Sequence, residues 1–83
     1  MSIILEKTEG NITEVVVSSS NLNRAIYNLD ENHLSIEFNN GSIYEYESVP
    51  LEVFENFKKS ESQGKFFNSN ISKTYKYKKI KWV

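Results

Sequence analysis

The stretch from His33 to Tyr46 constrains the fold more than any other part of the chain. Leu34, Ile36 and Phe38 alternate with other residues, Asn39-Asn40-Gly41 interrupts the alternation, and Tyr44 and Tyr46 resume it. Alternation of period two on both sides of a short glycine-bearing turn is the pattern of a β-hairpin with one face on a core. Loop length then decides the register. A two-residue Asn40-Gly41 turn puts Glu45 opposite Ile36, a charge against an apolar face. A three-residue loop, Asn39-Asn40-Gly41, sets Tyr44 against Ile36 and Tyr46 against Leu34, with Gly41 supplying the left-handed residue such a loop needs. The second register is the one expected. It leaves Glu37, Ile43 and Glu45 on a partly wetted face.

The segments around this hairpin extend the same reading. Ile12, Val15, Val16 and Val17 follow the breaker Gly10-Asn11 and predict a strand over 12–18; Asn23 to Leu29 predicts another, ended by the turn Asp30-Glu31-Asn32. Ile3 to Leu5 are expected to add a further strand or to pair with another subunit. Residues 1–16 are therefore read as an N-terminal extension contributing a strand, and residues 17–83 as a single domain. Val49-Pro50 marks a helix start, with proline at the first helical position and Glu52 at the positive end of the dipole. Val53, Phe54 and Phe57 form its inward stripe, Lys58 and Lys59 its C-terminal end, and Gly64 its stop. Phe66 and Phe67 read as a loop folded back on the core. Thr74 to Trp82 reads as a closing strand whose alternation changes phase near Lys79, the mark of a bulge. The expected class is α+β, a small antiparallel β-sheet with one α-helix packed on one face.

A chain of 83 residues has room for one core and for no cleft between domains. The absence of cysteine excludes disulfide staples and Cys-ligated metals and fits a reducing compartment. The start, Met1 to Glu6, has neither a basic region nor an apolar run of signal or membrane length, so a cytoplasmic protein with no membrane association is expected.

The net charge of −1 conceals a segregation. Residues 1–56 hold two basic and ten acidic groups, whereas residues 57–83 hold eight lysines and only Glu61. Pairing between strands accounts for part of this. The alternative is a basic face: Lys73, Lys76, Lys78, Lys79 and Lys81 fall within nine residues and interleave with Tyr75, Tyr77 and Trp82. That combination suits an anion carrying flat rings.

Catalytic chemistry finds little to use. There is one histidine, His33, one aspartate, Asp30, and no phosphate loop or metal-ligand spacing. His33 reads as a solvated edge residue, Glu45 and Glu47 alternate as surface residues do, and Ser18-Ser19-Ser20 has no base beside it in the sequence. No catalytic residue, cofactor or metal is expected.

Motifs spread over about three quarters of the chain carry a resemblance. They are Val17-x-Ser19-Ser20-Asn21, Tyr27, Leu34-x-Ile36-x-Phe38, Gly41, Tyr44-x-Tyr46-x-x-Val49-Pro50 and Ser62-x-Gly64-Lys65-Phe66-Phe67-Asn68-x-x-Ile71. With these the chain resembles the KTSC domain, a small bacterial and phage module also found at the C-terminal end of some lysyl-tRNA synthetases. Asn28, Ile26 and Phe54 depart from the aspartate, glycine and tyrosine common in that family. The resemblance implies the same α+β fold and brings no established chemistry.

The function expected is a non-catalytic binding module whose lysine-rich and aromatic C-terminal region takes an anionic nucleotide-type ligand. One form is a homo-oligomer, for instance a phage protein sequestering a small nucleotide signal in a pocket between subunits, with Arg24, Lys65 or Asn68 adding polar contacts. The alternatives are nucleic-acid binding and a protein-interaction adaptor. Tyr75 and Tyr77, if they share an exposed face, offer stacking surfaces, and Lys76, Lys78 and Lys81 meet phosphates. Tyr44 and Tyr46 complete the candidate set, with core packing as their competing role.

Overall fold

The computed structural model describes residues 3–81. Six antiparallel strands form one sheet in sequence order: β1 (Ile3–Glu9), β2 (Ile12–Val17), β3 (Leu22–Asn28), β4 (His33–Phe38), β5 (Ile43–Tyr46) and β6 (Tyr77–Lys81). Between β5 and β6 the chain leaves the sheet as α1 (Leu51–Lys59), α2 (Gln63–Phe66) and a π-helical turn, Phe67–Ile71. Ile3 to Leu5 thus lie in β1, and β2 runs across the boundary expected after residue 16.

The central hairpin has the three-residue register, with Ile36 opposite Tyr44, Leu34 opposite Tyr46, and Gly41 at φ +94°. Cross-strand pairing carries these rows across the sheet. Val15, Ala25, Ile36 and Tyr44 make one row on the inner face, and Thr13, Tyr27, Leu34, Tyr46 and Tyr77 make the next. Onto these rows α1 lays Phe54 and Phe57, and the π-turn adds Phe67 and Ile71, all buried. Tyr27 stacks on Phe54 with 4.8 Å between ring centroids.

Local chemistry explains the helical entry. Pro50 stands just before α1 in an extended conformation, one position earlier than expected, and Leu51 opens the helix. Tyr27 Oη donates to the Val49 carbonyl at 2.7 Å and accepts from Asn32 Nδ2 at 2.8 Å, while the Val49 N–H donates to the Asn32 carbonyl. This network clamps the β3–β4 turn to the start of α1.

Three expectations require correction. Gly64 does not stop α1, which ends at Lys59; it lies buried inside α2, where Ser62 Oγ accepts from the Lys65 N–H. Its lack of a side chain serves close approach, since a Cβ there would come within 2.9 Å of Asn21 Oδ1 and 3.2 Å of Ser19 Oγ. Phe66 and Phe67 are helical and not a loop, because Phe67 must present its ring edge-on to both Phe38 and Tyr46. The last strand starts at Tyr77, so Tyr75 precedes it; the phase change near Lys79 is a bulge in which Ile80 is the extra residue between the Tyr44–Lys79 and Ile43–Lys81 pairs.

Candidate ligand-binding surface at the β5–β6 edge

β6 is the outer strand on its side of the sheet, so the inner face is least covered there. Tyr77 is 54% exposed. Its ring rests on Tyr44 and Tyr46, with centroid distances of 5.4 and 5.3 Å. Behind these, Phe38 meets Tyr44 edge-on at 5.4 Å and Phe67 meets Tyr46 edge-on at 5.3 Å. The result is an aromatic platform braced by the core, with one outermost ring open to solvent.

The cations sort by strand alternation. Lys79 pairs with Tyr44 across the strands and carries its ammonium 5.5 Å from that ring's centroid, a cation–π contact. Lys76 and Lys78 flank Tyr77 and are exposed; Lys78 Nζ also lies 3.7 Å from Glu45 Oε1 on the opposite face. Pairing between the acidic and basic halves is therefore present, and on an exposed lysine such a pair is weak. At the β4–β5 turn Phe38, Asn40, Ser42, Tyr44 and Lys79 surround a cavity of about 180 Å³. Beyond the other end of β6, Glu47, Ser48, Thr74, Tyr75 and Lys76 line a wider hollow of about 390 Å³.

The other expected site residues are placed differently. Tyr46 is only 3% exposed and supports the platform without offering a face to a ligand; burial, with further contributions from Tyr77 and Tyr44, pushes its phenol up to about 12. Tyr75 is half-buried against the core before β6, so it shares no open strand face with Tyr77. Arg24 lies on the opposite sheet face, where its guanidinium donates to Glu14 at 2.6 Å and to Glu37 at 2.7 Å, hydrogen bonds that hold its pKa above the usual value. Two carboxylates already satisfy it, and the fold does not bring it to the β5–β6 edge. Lys65 and Asn68 sit exposed on α2 and the π-turn, Lys65 beside a separate hollow with Ser62, Phe66 and Asn70. Lys81 ends β6 opposite Ile43, and Trp82 lies outside the described residues.

Asn40 and Ser42 are not singled out as site residues by the sequence, and Lys79 figures there only as one lysine of the basic face. The signal for Lys79 was present, since the alternation that turns Tyr77 inward turns Lys79 with it. On the outer face His33 Nδ1 stands 3.5 Å from Glu31 and 3.4 Å from Glu45, at the start of the interior strand β4. Among the described residues no group of acidic and imidazole side chains is arranged to hold a metal ion, and no helix is long and apolar enough to cross a membrane.

This architecture defines the class: a small α+β domain in which helices close one face of a six-stranded meander and leave an aromatic, basic margin open. The chain belongs to the KTSC domain family, whose model matches residues 18–77. In three dimensions it is similar to the crystal structure of a KTSC domain protein from Yersinia pestis, at a TM-score of 0.77 and 32% identity, covering 84% of this chain and 99% of that one. In sequence it is 34% identical over 67 residues to an uncharacterised protein of Stutzerimonas stutzeri, which is 80% of this chain and 94% of that protein. It is also 43% identical over 47 residues to a lysine–tRNA ligase of Nostoc; the match takes in 57% of this chain and spans 8% of the ligase.

Proposed function

We propose that this KTSC domain is a non-catalytic, cytoplasmic module that binds single-stranded nucleic acid along the β5–β6 edge. The observation that carries the reading is Tyr77, an exposed ring seated on Tyr44 and Tyr46 and flanked in the same strand by Lys78 and Lys79. A base stacked on Tyr77 completes the aromatic series, and the lysines meet the adjoining phosphates; each stacked base contributes on the order of 1–3 kcal/mol. An open margin suits an extended strand better than an enclosed small molecule. The occurrence of the family in a lysine–tRNA ligase, a protein named for an RNA substrate, supports RNA as the first ligand to try.

A short labelled oligoribonucleotide, followed by fluorescence anisotropy, tests this. Affinity is expected to fall with salt at about 0.7 logarithmic units per phosphate contacted. Tyr77→Ala should weaken binding roughly tenfold while Tyr77→Phe retains it. Charge reversal of Lys76, Lys78 and Lys79 together should abolish it. Binding that survives both Tyr77→Ala and the triple reversal overturns the reading.

A second reading draws on the wider hollow beside Tyr75 and Lys76, whose volume of about 390 Å³ lies within the usual range for small-ligand pockets. There the ligand is a small nucleotide and a second copy of the chain closes the open side. Native mass spectrometry separates the two readings: an oligomer retaining a nucleotide-sized mass favours this one, and a chain that takes up an added oligonucleotide without one favours the first.

A further inference from the structure

We propose that the β5–β6 edge takes one unstacked base at a time, so that its ligand is an RNA offering a single unpaired nucleotide, bulged, flipped or terminal, instead of a long run of single strand. The proposal rests on the nucleic-acid reading above and narrows it to a footprint. Surfaces that track a long strand hold successive bases on successive aromatic side chains. Strand alternation decides how many such rings β6 can offer. At intervals of two along this part of the chain stand Tyr75, Tyr77 and Lys79. Only Tyr77 is an exposed ring within the strand, 54% open to solvent. Tyr75 falls before the strand and packs half-buried against the core, and Lys79 turns inward with its ammonium on the Tyr44 ring.

The neighbouring rings add no second platform. Tyr46 is 3% exposed, and Tyr44 is wedged between Phe38 and Tyr77 with Lys79 over its ring. Both meet Tyr77 at a tilt, 44° for Tyr44 and 36° for Tyr46, which fills one side of the Tyr77 ring and leaves the other for a base. Phe66 is half-buried and turned to Phe57, away from this edge. Among the described residues Tyr77 is the one exposed aromatic ring.

The cations match so small a footprint. β6 is five residues long, about 17 Å at the usual rise of an extended strand. Lys79 lies on the same side of the strand as the ring, whereas Lys78 leans to Glu45 on the opposite face and Lys76 precedes the strand. Phosphates adjoining the stacked base therefore meet one lysine on the inner side and two more at the rim. That allows about three phosphate contacts and an overall salt slope of about two logarithmic units. A base inside a duplex is already stacked on both sides and reaches Tyr77 only by leaving the stack, which favours a nucleotide that is unpaired from the start.

The test is a length series of labelled oligouridylates, from two nucleotides to ten, with an RNA hairpin carrying one bulged uridine and the same hairpin fully paired, all followed by fluorescence anisotropy. Affinity is expected to level off by about three nucleotides, the number of phosphates the lysines can meet. Longer strands should then gain only in proportion to their extra registers, and at saturation carry several copies of the domain in native mass spectrometry. The bulged hairpin should bind like the short strand and the paired one roughly tenfold more weakly, a difference that Tyr77→Ala removes. Trp82 lies outside the described residues and checks the count of rings, so Trp82→Ala should leave affinity unchanged at every length. A second stacked base would add about fivefold or more. If affinity keeps climbing by such steps along the series, or if Trp82→Ala costs as much as Tyr77→Ala, the single-base footprint is wrong and the single-strand reading stands. If no RNA binds at any length, the strand reading itself falls and the footprint with it.

Discussion

Tyr27 and Tyr77 occupy the same cross-strand row, joined through Leu34 and Tyr46, and meet opposite fates. Tyr27 is 1% exposed, stacked on Phe54, with its hydroxyl tied to Val49 and Asn32. Tyr77 faces the same side of the same sheet but has rings beneath it and solvent above. Register placed both inward, and what separates them is where the helices reach. The chain between β5 and β6 lays Phe54 and Phe57 over the middle strands, and Phe67 reaches as far as Phe38 and Tyr46. One row therefore holds both the fastening of the fold and its most open aromatic surface.

The largest effect of substitution is expected at the covered end of this row. Tyr27→Ala should cost about 3–5 kcal/mol, the usual range for deleting a buried ring. For a domain of this size that lowers the melting temperature by roughly 12 °C or more. Tyr77→Ala should change thermal stability by less than about 1 kcal/mol, as exposed substitutions do, while weakening oligonucleotide binding roughly tenfold. Thermal unfolding of the two variants side by side checks both. A Tyr77→Ala protein that melts as early as Tyr27→Ala would show that the edge ring is structural.

Tyr46, between them in the row, gives the second prediction, which is alkaline. In an unfolded chain its phenol ionises near 10. In the folded protein burial holds the proton up to about 12. Between these values the folded state binds more protons than the unfolded one, so stability is complete below about pH 10 and is lost as pH rises through about 12. Urea midpoints measured across that interval should fall for the wild type and fall less for Tyr46→Phe. Equal slopes would mean that Tyr46 ionises as readily folded as unfolded.

Part of this was legible in the sequence, for physical reasons that differ by region. The β4–β5 register could be derived because only one loop length keeps a carboxylate off the apolar face, and period-two patterning leaves no third choice. The bulge near Lys79 announced itself as a break in the same period. The α2 and π-turn segment was misread because Gly64 and Asn68-Ser69-Asn70 have the composition of a loop. What makes it helical is tertiary: Gln63, buried, extends Nε2 to within 3.2–3.4 Å of the Phe57, Lys58 and Ser60 carbonyls, and the Ser19–Asn21 loop closes over Gly64. At the candidate site, Tyr77 and the lysine-rich strand were visible as residue types. The hollow lined by Asn40, Ser42 and Lys79 was not, because it depends on a turn and a distant strand being brought together by β5–β6 pairing.

Gly64 offers a smaller and sharper test of that tertiary account. Gly64→Ala directs a methyl at the Asn21 and Ser19 side chains, of which Asn21 is exposed and able to swing away. A loss of about 1 kcal/mol is expected, at the low end for overpacking. Asn21→Ala should relieve most of it in the double variant. If Gly64→Ala is neutral or stabilising, the glycine is not there for close approach.

The smallest effect belongs to Arg24, and it bears on where the ligand surface ends. Its ion pairs with Glu14 and Glu37 lie on the outer face, across the sheet from the aromatic platform. Arg24→Gln removes the charge that balances two carboxylates, yet all three side chains keep some contact with water, so the cost should stay near or below 1 kcal/mol and shrink as salt rises. Oligonucleotide affinity should be unchanged apart from a uniform weakening due to net charge, with the same salt slope as wild type. A slope reduced by about one phosphate contact would place Arg24 on the ligand's path. The strand would then have to wrap the β-sheet edge from the inner to the outer face, and Tyr77 would mark the midpoint of the surface instead of its rim.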